Sequence, residues 1–323
     1  MLAEVDQPAT TTTRKHQPAW LRQLSRTLVD VWRHRWLYLL LLPGLLFFIV
    51  FVYVPLAGSV VAFQDYSPFR GFSGSEWVGL DNFRKLFTDR DLPRVTINTL
   101  VLSSIQIVIA FPIPIILALM LNELRNVVFK RSIQSILYLP HFISWVIIVG
   151  IWYQLFGSRG LVNQWLQQLG ADSIGFLTEA NWFRVMFVMQ GIWKESGWGT
   201  IIFLAALAGV DNDLYEAAAL DGASRWQRLL GVTLPSIMPI VLLVLILRLG
   251  NVLDTGFEHI FLLLNSGTEP VAQVLDTFVY TKGIVRGDIS FATAVGLVKG
   301  LVGLVLVVGA NRLTKRLGQE GVY

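Results

Sequence analysis

The stretch "YEAAALDGASRWQRLLGVTLP", residues 215–235, stands between two long apolar runs and carries Glu216, Asp221, Arg225 and Arg228. Residues 214–219 are rich in helix formers, alanines above all. Gly222 suits a sharp turn, because it takes backbone conformations closed to residues with a Cβ. Residues 224–230 predict a second short helix. Pro235 then opens the next apolar run, where its missing N–H costs nothing. A charged helix–turn–helix between segments built for lipid needs a reason outside the lipid. A membrane protein that only conducts has no use for such an elbow; one driven by a soluble partner does.

The rest of the composition places that elbow on a membrane. The chain has 323 residues, 54% hydrophobic and 15% charged, where a soluble domain carries about 25% charged residues. Runs of roughly 20 apolar residues cross a bilayer. The reading is an all-α polytopic membrane protein with six spans, at about 36–63, 96–121, 133–156, 183–210, 235–264 and 289–310. Pro112 and Pro114 predict a kink in the second span, with neighbouring helices satisfying the freed carbonyls.

Orientation follows from Lys and Arg in the loops. Arg33 and Arg35 precede the first span, Arg312, Lys315 and Arg316 follow the last, and Arg125, Lys130, Arg131, Arg225 and Arg228 lie between spans on the same side. These place both termini and the elbow in the cytoplasm. Arg70, Arg84, Lys85, Arg90 and Arg94 of the first outer loop weaken the bias. Two parts are expected. Residues 1–35 form a polar tail and an amphipathic interfacial helix, with Leu21, Leu24, Leu28 and Val31 on one face, or else a simple basic stop before the first span. Residues 36–323 form the six-helix domain, with the cytoplasmic loop at 211–235. Trp77, Leu80, Phe83 and Phe87 predict a small amphipathic helix on the outer surface.

Several chemistries are excluded. The chain has no cysteine, hence no disulfide or thiolate site. His16, His34, His141 and His259 show no metal-ligand spacing. No G-x-x-x-x-G-K-[ST] is present to cradle ATP phosphates. A net charge of +4 gives no reason to invoke nucleic acid.

The elbow carries a family resemblance. Glu216, Ala217 and Ala218, then Asp221, Gly222 and Ala223, then Val232, Leu234 and Pro235 resemble the EAA loop of ABC importer permeases, with valine where isoleucine is usual. "YLPHFISWVIIVGIWYQLF" in the third span, "FEHIFLLLN" at 257–265 and the segment 276–318 resemble the carbohydrate-uptake branch. From about residue 36 onward the chain is similar to permeases for larger, often acidic, oligosaccharides such as alginate or pectin fragments. The resemblance implies a type I importer permease bundle in the bacterial inner membrane. It also implies a second, distinct permease, two ATPase subunits and an extracytoplasmic sugar-binding protein as partners. ATP and magnesium would sit on the ATPase, leaving this chain without cofactor or catalytic residue. The loop would dock into the ATPase and transmit its closure, and sugar would cross by alternating access.

Charges within the spans supply the candidate substrate path, since each costs on the order of 2.5–3.5 kcal/mol to insert. On a continuous fifth helix Arg248, Asn251, Thr255, Glu258 and His259 fall within an arc of roughly 100°, with Asp254 at its margin. They line a path, or Arg248 pairs internally with Asp254 or Glu258. In the fourth span Gln190, Trp193, Lys194 and Gly197 share a face, Trp198 borders it and Glu195 points elsewhere. Trp193 is either a sugar-stacking platform or a packing residue, and Lys194 a partner for a carboxylate on a neighbouring helix. In the sixth span Gly296, Gly300 and Gly303 predict close helix approach, with Lys299 balancing Glu258 or Asp254. Lys194, Arg248 and Lys299 favour an anionic sugar; Glu195, Asp254 and Glu258 offset them, so a neutral oligosaccharide stays open. An ion-coupled carrier would need broken mid-membrane helices and inverted repeats, which the pattern does not show. An intramembrane glycan enzyme would use Asp254 and Glu258, one helical turn apart, as acid and base.

Overall fold

The computed structural model describes residues 32–316. The amphipathic helix expected before the first span lies, but for its last residues, outside the described residues. The chain falls into two units that divide after Ser59. The first holds most of α1 (Arg35–Phe63), a long apolar helix whose side chains are exposed from Trp36 to Leu56. A helix apolar all round is built for lipid.

The second unit is helical apart from one small hairpin. Its elements are β1 (Gln64–Asp65), β2 (Glu76–Trp77), α2 (Asp81–Thr88), α3 (Leu92–Asn122), α4 (Val127–Tyr138), α5 (Trp145–Phe156), α6 (Leu161–Gln168) and α7 (Ala180–Ala208). There follow α8 (Asn212–Leu220), α9 (Arg225–Gly250), α10 (Phe257–Leu263), α11 (Leu275–Tyr280) and α12 (Ile289–Arg316). The strands pair antiparallel, Gln64 opposite Trp77 and Asp65 opposite Glu76. α2 is the short helix expected near here, but it buries Asn82 and Leu86; Trp77 lies in β2, and Trp77, Leu80 and Phe87 of the expected apolar face are exposed, because the helix starts only at Asp81. Asn82 Nδ2 donates to the carbonyls of Ala62 and Gln64 at 3.0 and 2.9 Å and so fixes the helix to the hairpin.

The crossings have less regular helices than periodicity predicts. By length and composition Arg35–Phe63, Leu92–Asn122, Trp145–Gln168, Arg225–Gly250 and Ile289–Arg316 can cross a membrane. α7 has 29 residues, about 43 Å at 1.5 Å each, but Gln190, Lys194 and Glu195 interrupt its apolar run. The third crossing is not one helix. It breaks after α4 into a 3-10 turn, Leu139–Phe142, and restarts at Ser144, whose hydroxyl caps α5 by accepting from Ile147 N. The fifth is not continuous either. α9 ends at Gly250, residues 251–256 are unwound, and Gly256 at φ +92° starts α10. Broken mid-membrane helices are therefore present, contrary to expectation.

The prolines act locally. A five-residue π-turn stands just before Pro55, Pro112 and Pro235, at Ile49–Tyr53, Gln106–Ala110 and Leu229–Thr233. In each, the residue before proline donates to the carbonyl five residues back: Val54 to Ile49, Phe111 to Gln106, Leu234 to Leu229. Proline clashes with the carbonyl four back and cannot donate to it. A wider turn accommodates both defects. The second short helix expected at 224–230 is consequently not separate: it runs through this turn into the fifth span as part of α9.

Loops 64–91, 157–179 and 264–288 gather at one end. Tyr66 N donates to Ser290 Oγ at 2.9 Å, Asn265 Nδ2 to Leu177 O at 3.0 Å, and Asn98 Nδ2 to Pro270 O at 2.9 Å. Two ion pairs tie this end. Arg94 forks to both oxygens of Glu269 at 2.9 and 2.8 Å, and Lys282 Nζ lies 2.7 Å from Asp89 Oδ2. The Arg94 hydrogen bonds hold the Glu269 carboxyl below its usual value, against its partial burial. For Asp89 burial pushes up, but Lys282 and two backbone N–H groups prevail and the net shift is downward. A depressed carboxyl pKa adds stability that is full above the unfolded value and disappears as pH falls through the folded one. Amide protection in 264–288, measured relative to the intrinsic exchange rate at each pH, is therefore expected to fall once pH drops below the unshifted values of 4.5 and 3.8, while protection in α8 stays unchanged; an equal loss of protection at both ends would refute this.

Candidate functional site

Two breaks and two apolar clusters enclose a cavity. An outer cluster contains Phe183, Met186, Phe187, Trp152 and Ile260, with Trp145 packed on it. An inner cluster contains Ala118, Phe203, Leu207 and Ile237, with Phe111 and Val244 packed on it. Between them lies a cavity of about 450 Å³, with walls from α3, α5, α7, α9 and the unwound 251–256 segment. Its polar and aromatic lining includes Gln106, Trp145, Glu195, Trp198, Arg248, Asn251, Asp254, Thr255 and His259.

The unwound segment exists because α3 satisfies it. Ser103 Oγ donates to Val252 O, and Gln106 Nε2 donates to Thr255 O at 3.3 Å. Backbone freed within a membrane protein needs such partners. Arg248 Nη2 reaches Gln106 Oε1 at 3.4 Å and makes no ion pair with Asp254 or Glu258. Thr255 Oγ1 is buried without a hydrogen-bond partner among the described residues, and it lies in the cavity wall.

The aromatic wall is fixed by stacking. The Trp145 ring lies on His259 with centroids 3.7 Å apart, and His259 lies on Phe187 at 4.6 Å. His259 shares a 2.9 Å hydrogen bond with Gln190 Oε1. Trp198 stacks on His141 at 4.5 Å, and His141 Nδ1 lies 3.0 Å from Glu195 Oε2. Both indoles are thus held while part of each ring faces the cavity.

Several expected positions shift. Arg248, Asn251, Asp254, Thr255 and His259 do meet at the cavity, but by unwinding rather than as a stripe on one helix; Glu258, in the first turn of α10, is not in its lining. Asp254 and Glu258 are accordingly not one helical turn apart. α7 turns Glu195 and Trp198 toward the cavity, while Trp193 is outside the lining and 40% exposed. Lys194 is buried and donates to the carbonyls of His141 and Ile143 at 2.7 Å each, and to Pro140 at 3.5 Å. Its role is to cap the break in the third crossing; its nearest carboxylate, Glu195, is its own chain neighbour at 3.9 Å. Lys299 pairs with Asp276, not with Glu258 or Asp254. Of the expected glycine seam only Gly303 makes a close approach, 3.0 Å from Gly250 O for a Cβ placed there; Gly296 and Gly300 meet nothing. Gln106, Ser103 and Trp145 were legible only as apolar-span polar residues and a belt tryptophan.

The elbow is built by standard capping. Asp211 accepts from Asp213 N to start α8. At its end Ala223 N bonds Ala218 O at 2.9 Å and Gly222 N bonds Ala219 O at 3.1 Å, with Gly222 at φ +76°. This is the glycine-closed Schellman arrangement. Ser224 and Gln227 form a reciprocal capping box, and Tyr215 Oη lies 3.0 Å from Thr233 Oγ1 across the turn. Glu216, Ala217, Asp221 and Gly222 are exposed, Ala218 and Ala223 half-buried, and Leu234 and Pro235 lie inside α9. Leu220 and Trp226 are 91% and 72% exposed, an apolar tip that nothing among the described residues covers. Among the described residues no group of three or more His, Asp or Glu is placed to hold a metal.

Comparison with known proteins bears on both features. Residues 110–320 match the family described as binding-protein-dependent transport system inner membrane component. The chain is 51% identical over 292 residues to Protein LplB of Bacillus subtilis (strain 168), covering 90% of this chain and 92% of that one. It is 48% identical over 300 residues to the polygalacturonan/rhamnogalacturonan transport system permease protein YteP of the same organism, covering 93% and 94%. A chain in the crystal structure of a bacterial alginate ABC transporter, in complex with alginate pentasaccharide-bound periplasmic protein, superposes with a TM-score of 0.84. It is 39% identical and the match covers 92% of this chain and all of that one.

Proposed function

The chain belongs to the binding-protein-dependent transport system inner membrane components, as a carbohydrate permease of the ABC type, and from that premise we propose that it carries an acidic oligosaccharide. The observation that carries the reading is the cavity, where Arg248 faces the same space as Trp145 and Trp198. Sugars have apolar C–H faces edged by hydroxyls. The indoles cover the former, and Asn251, Gln106 and the unpartnered Thr255 hydroxyl bind the latter. Arg248 offers a forked donor to a carboxylate. Small-molecule sites run from about 300 to 1,000 Å³, so at about 450 Å³ this one holds part of an oligosaccharide at a time. Support also comes from relatives: one is named for polygalacturonan and rhamnogalacturonan, and the matched structures import alginate, an acidic polysaccharide.

In this reading the chain works in the bacterial inner membrane beside a second permease, above two ATPase subunits and below a sugar-loaded binding protein. ATP and magnesium stay on the ATPases. Their closure moves the elbow at 211–235, and α9 passes that motion to the unwound segment beside the sugar.

A second reading, a neutral oligosaccharide, is favoured by the lining itself, because Glu195 and Asp254 face the cavity beside a single arginine. The variant Arg248→Gln in the complete reconstituted importer separates the two. A lost charge-assisted hydrogen bond is worth about 1.5–3 kcal/mol, or roughly 10- to 100-fold in uptake. Uptake of an acidic oligosaccharide is expected to fall by that factor, with a neutral one of equal length unaffected. Unchanged acidic uptake would leave only the neutral reading.

A further inference from the structure

α6 has two apolar sides and only one is buried. Val162 and Leu166 pack against the outer core cluster. Between them Asn163 is fully buried: its Nδ2 donates to Gly157 O at 3.0 Å and Ile174 O at 2.9 Å, and its Oδ1 accepts from Ile174 N at 2.8 Å. The approach is equally fixed, since a Cβ on Gly160 would stand 2.6 Å from Leu155 O. A helix pinned in this way cannot roll to cover its other side. That side carries Leu161, Trp165 and, at the C-cap, Leu169, spaced one helical turn apart and 50%, 66% and 84% exposed.

We propose that this face is an interfacial anchor, seated in the headgroup–acyl boundary of the bilayer at the end of the bundle where loops 64–91, 157–179 and 264–288 gather. Only residues 157–160 separate α6 from the end of α5, so α6 lies at the level where an apolar crossing finishes. That crossing exposes Val146, Ile147 and Ile151, side chains suited to acyl chains. Residues 161–171 contain no charge. The nearest charged residues are Arg159 and Asp172, and the polar side chains between are the amides of Asn163, Gln164, Gln167 and Gln168. Tryptophan with flanking leucines and neutral amides matches the membrane boundary, where an amphipathic ring is preferred. Between Arg159 and Asp172 the face offers a soluble partner no charge to steer by. Seating through apolar area alone makes the anchor indifferent to lipid charge.

The chain has no native cysteine, so a single introduced thiol is its only labelling site. Leu161→Cys, Leu169→Cys and, as the solvent-facing control, Asp172→Cys carry an environment-sensitive fluorophore in the complete transporter, with partner cysteines replaced. The transporters are reconstituted in phosphatidylcholine vesicles, and ATP hydrolysis confirms assembly of each variant. Nitroxide lipids labelled near the headgroup are expected to quench positions 161 and 169 about three-fold more than position 172, with aqueous iodide showing the reverse order. Adding phosphatidylglycerol leaves the pattern unchanged. Iodide quenching at 161 and 169 equal to that at 172 would overturn the proposal. So would protection that appears only when the sugar-loaded binding protein is added, which would make the face a protein dock.

Discussion

Gly222→Leu is expected to abolish sugar uptake while leaving the chain in the membrane and assembled with its partners. Gly222 closes α8 at φ +76°, a conformation that costs a residue with a Cβ roughly 1–2 kcal/mol. No neighbouring atom would touch an added Cβ, so the penalty is conformational and not a clash. Leucine relieves it by unwinding the Schellman turn, which releases the carbonyls of Ala218 and Ala219 and re-aims Leu220 and Trp226. The elbow is exposed and contributes no residue to the two apolar clusters beyond its junction with α9, so the helices around the cavity keep their core. Gly222→Asn is the informative companion, because asparagine visits the left-handed region at low cost. It should retain much of the activity. Uptake and ATP hydrolysis in vesicles, measured for both, decide the matter. Uptake by Gly222→Leu at the parent rate would remove the elbow from the coupling path.

Lys194→Met should cost at least about 3 kcal/mol of stability, the combined loss of charge-assisted hydrogen bonds to buried carbonyls. Lys194 is 7% exposed and donates to the ends of a broken helix at His141 and Ile143. Methionine fills the space but donates nothing. The partly buried carbonyls then lose their charged donor, and the 3-10 turn at Leu139–Phe142 loses its tether to α7. Trp145 sits next to this break and under the Lys194 ammonium at 5.4 Å, so the cavity wall moves with it. Lys194→Arg, which restores donors with a different shape, should recover part of the loss. Thermal unfolding of the purified complex and sugar uptake are the two readouts. A Lys194→Met variant as stable and active as the parent would return Lys194 to the role of an ordinary intramembrane charge.

The two variants probe features of unequal legibility. The elbow could be read from residues alone, since Gly222, Ser224 and Gln227 act through their own backbone and near neighbours. Its second helix was misjudged only because Pro235 reads as a boundary, whereas the π-turn at Leu229–Thr233 lets α9 run through. The cavity lining was legible in part. Arg248, Asn251, Asp254, Thr255 and His259 were grouped on the assumption of one helix, and they meet because that helix is broken. Gly250, Gly256 and Pro140 with Ser144 were the available signals of breaks. They were outweighed by continuous hydropathy, which does not distinguish a helix from unwound backbone whose partners lie elsewhere.

By itself the sequence determined the membrane, the number of crossings and the elbow, because each rests on apolar length or on capping within a few residues. Only the tertiary structure decided where crossings break and what faces the cavity. Unwound backbone survives in an apolar bundle only where a distant side chain satisfies it. Those donors, Ser103 and Gln106 for residues 251–256 and Lys194 for Pro140, His141 and Ile143, lie on neighbouring helices, about 150 and 50 residues away along the chain.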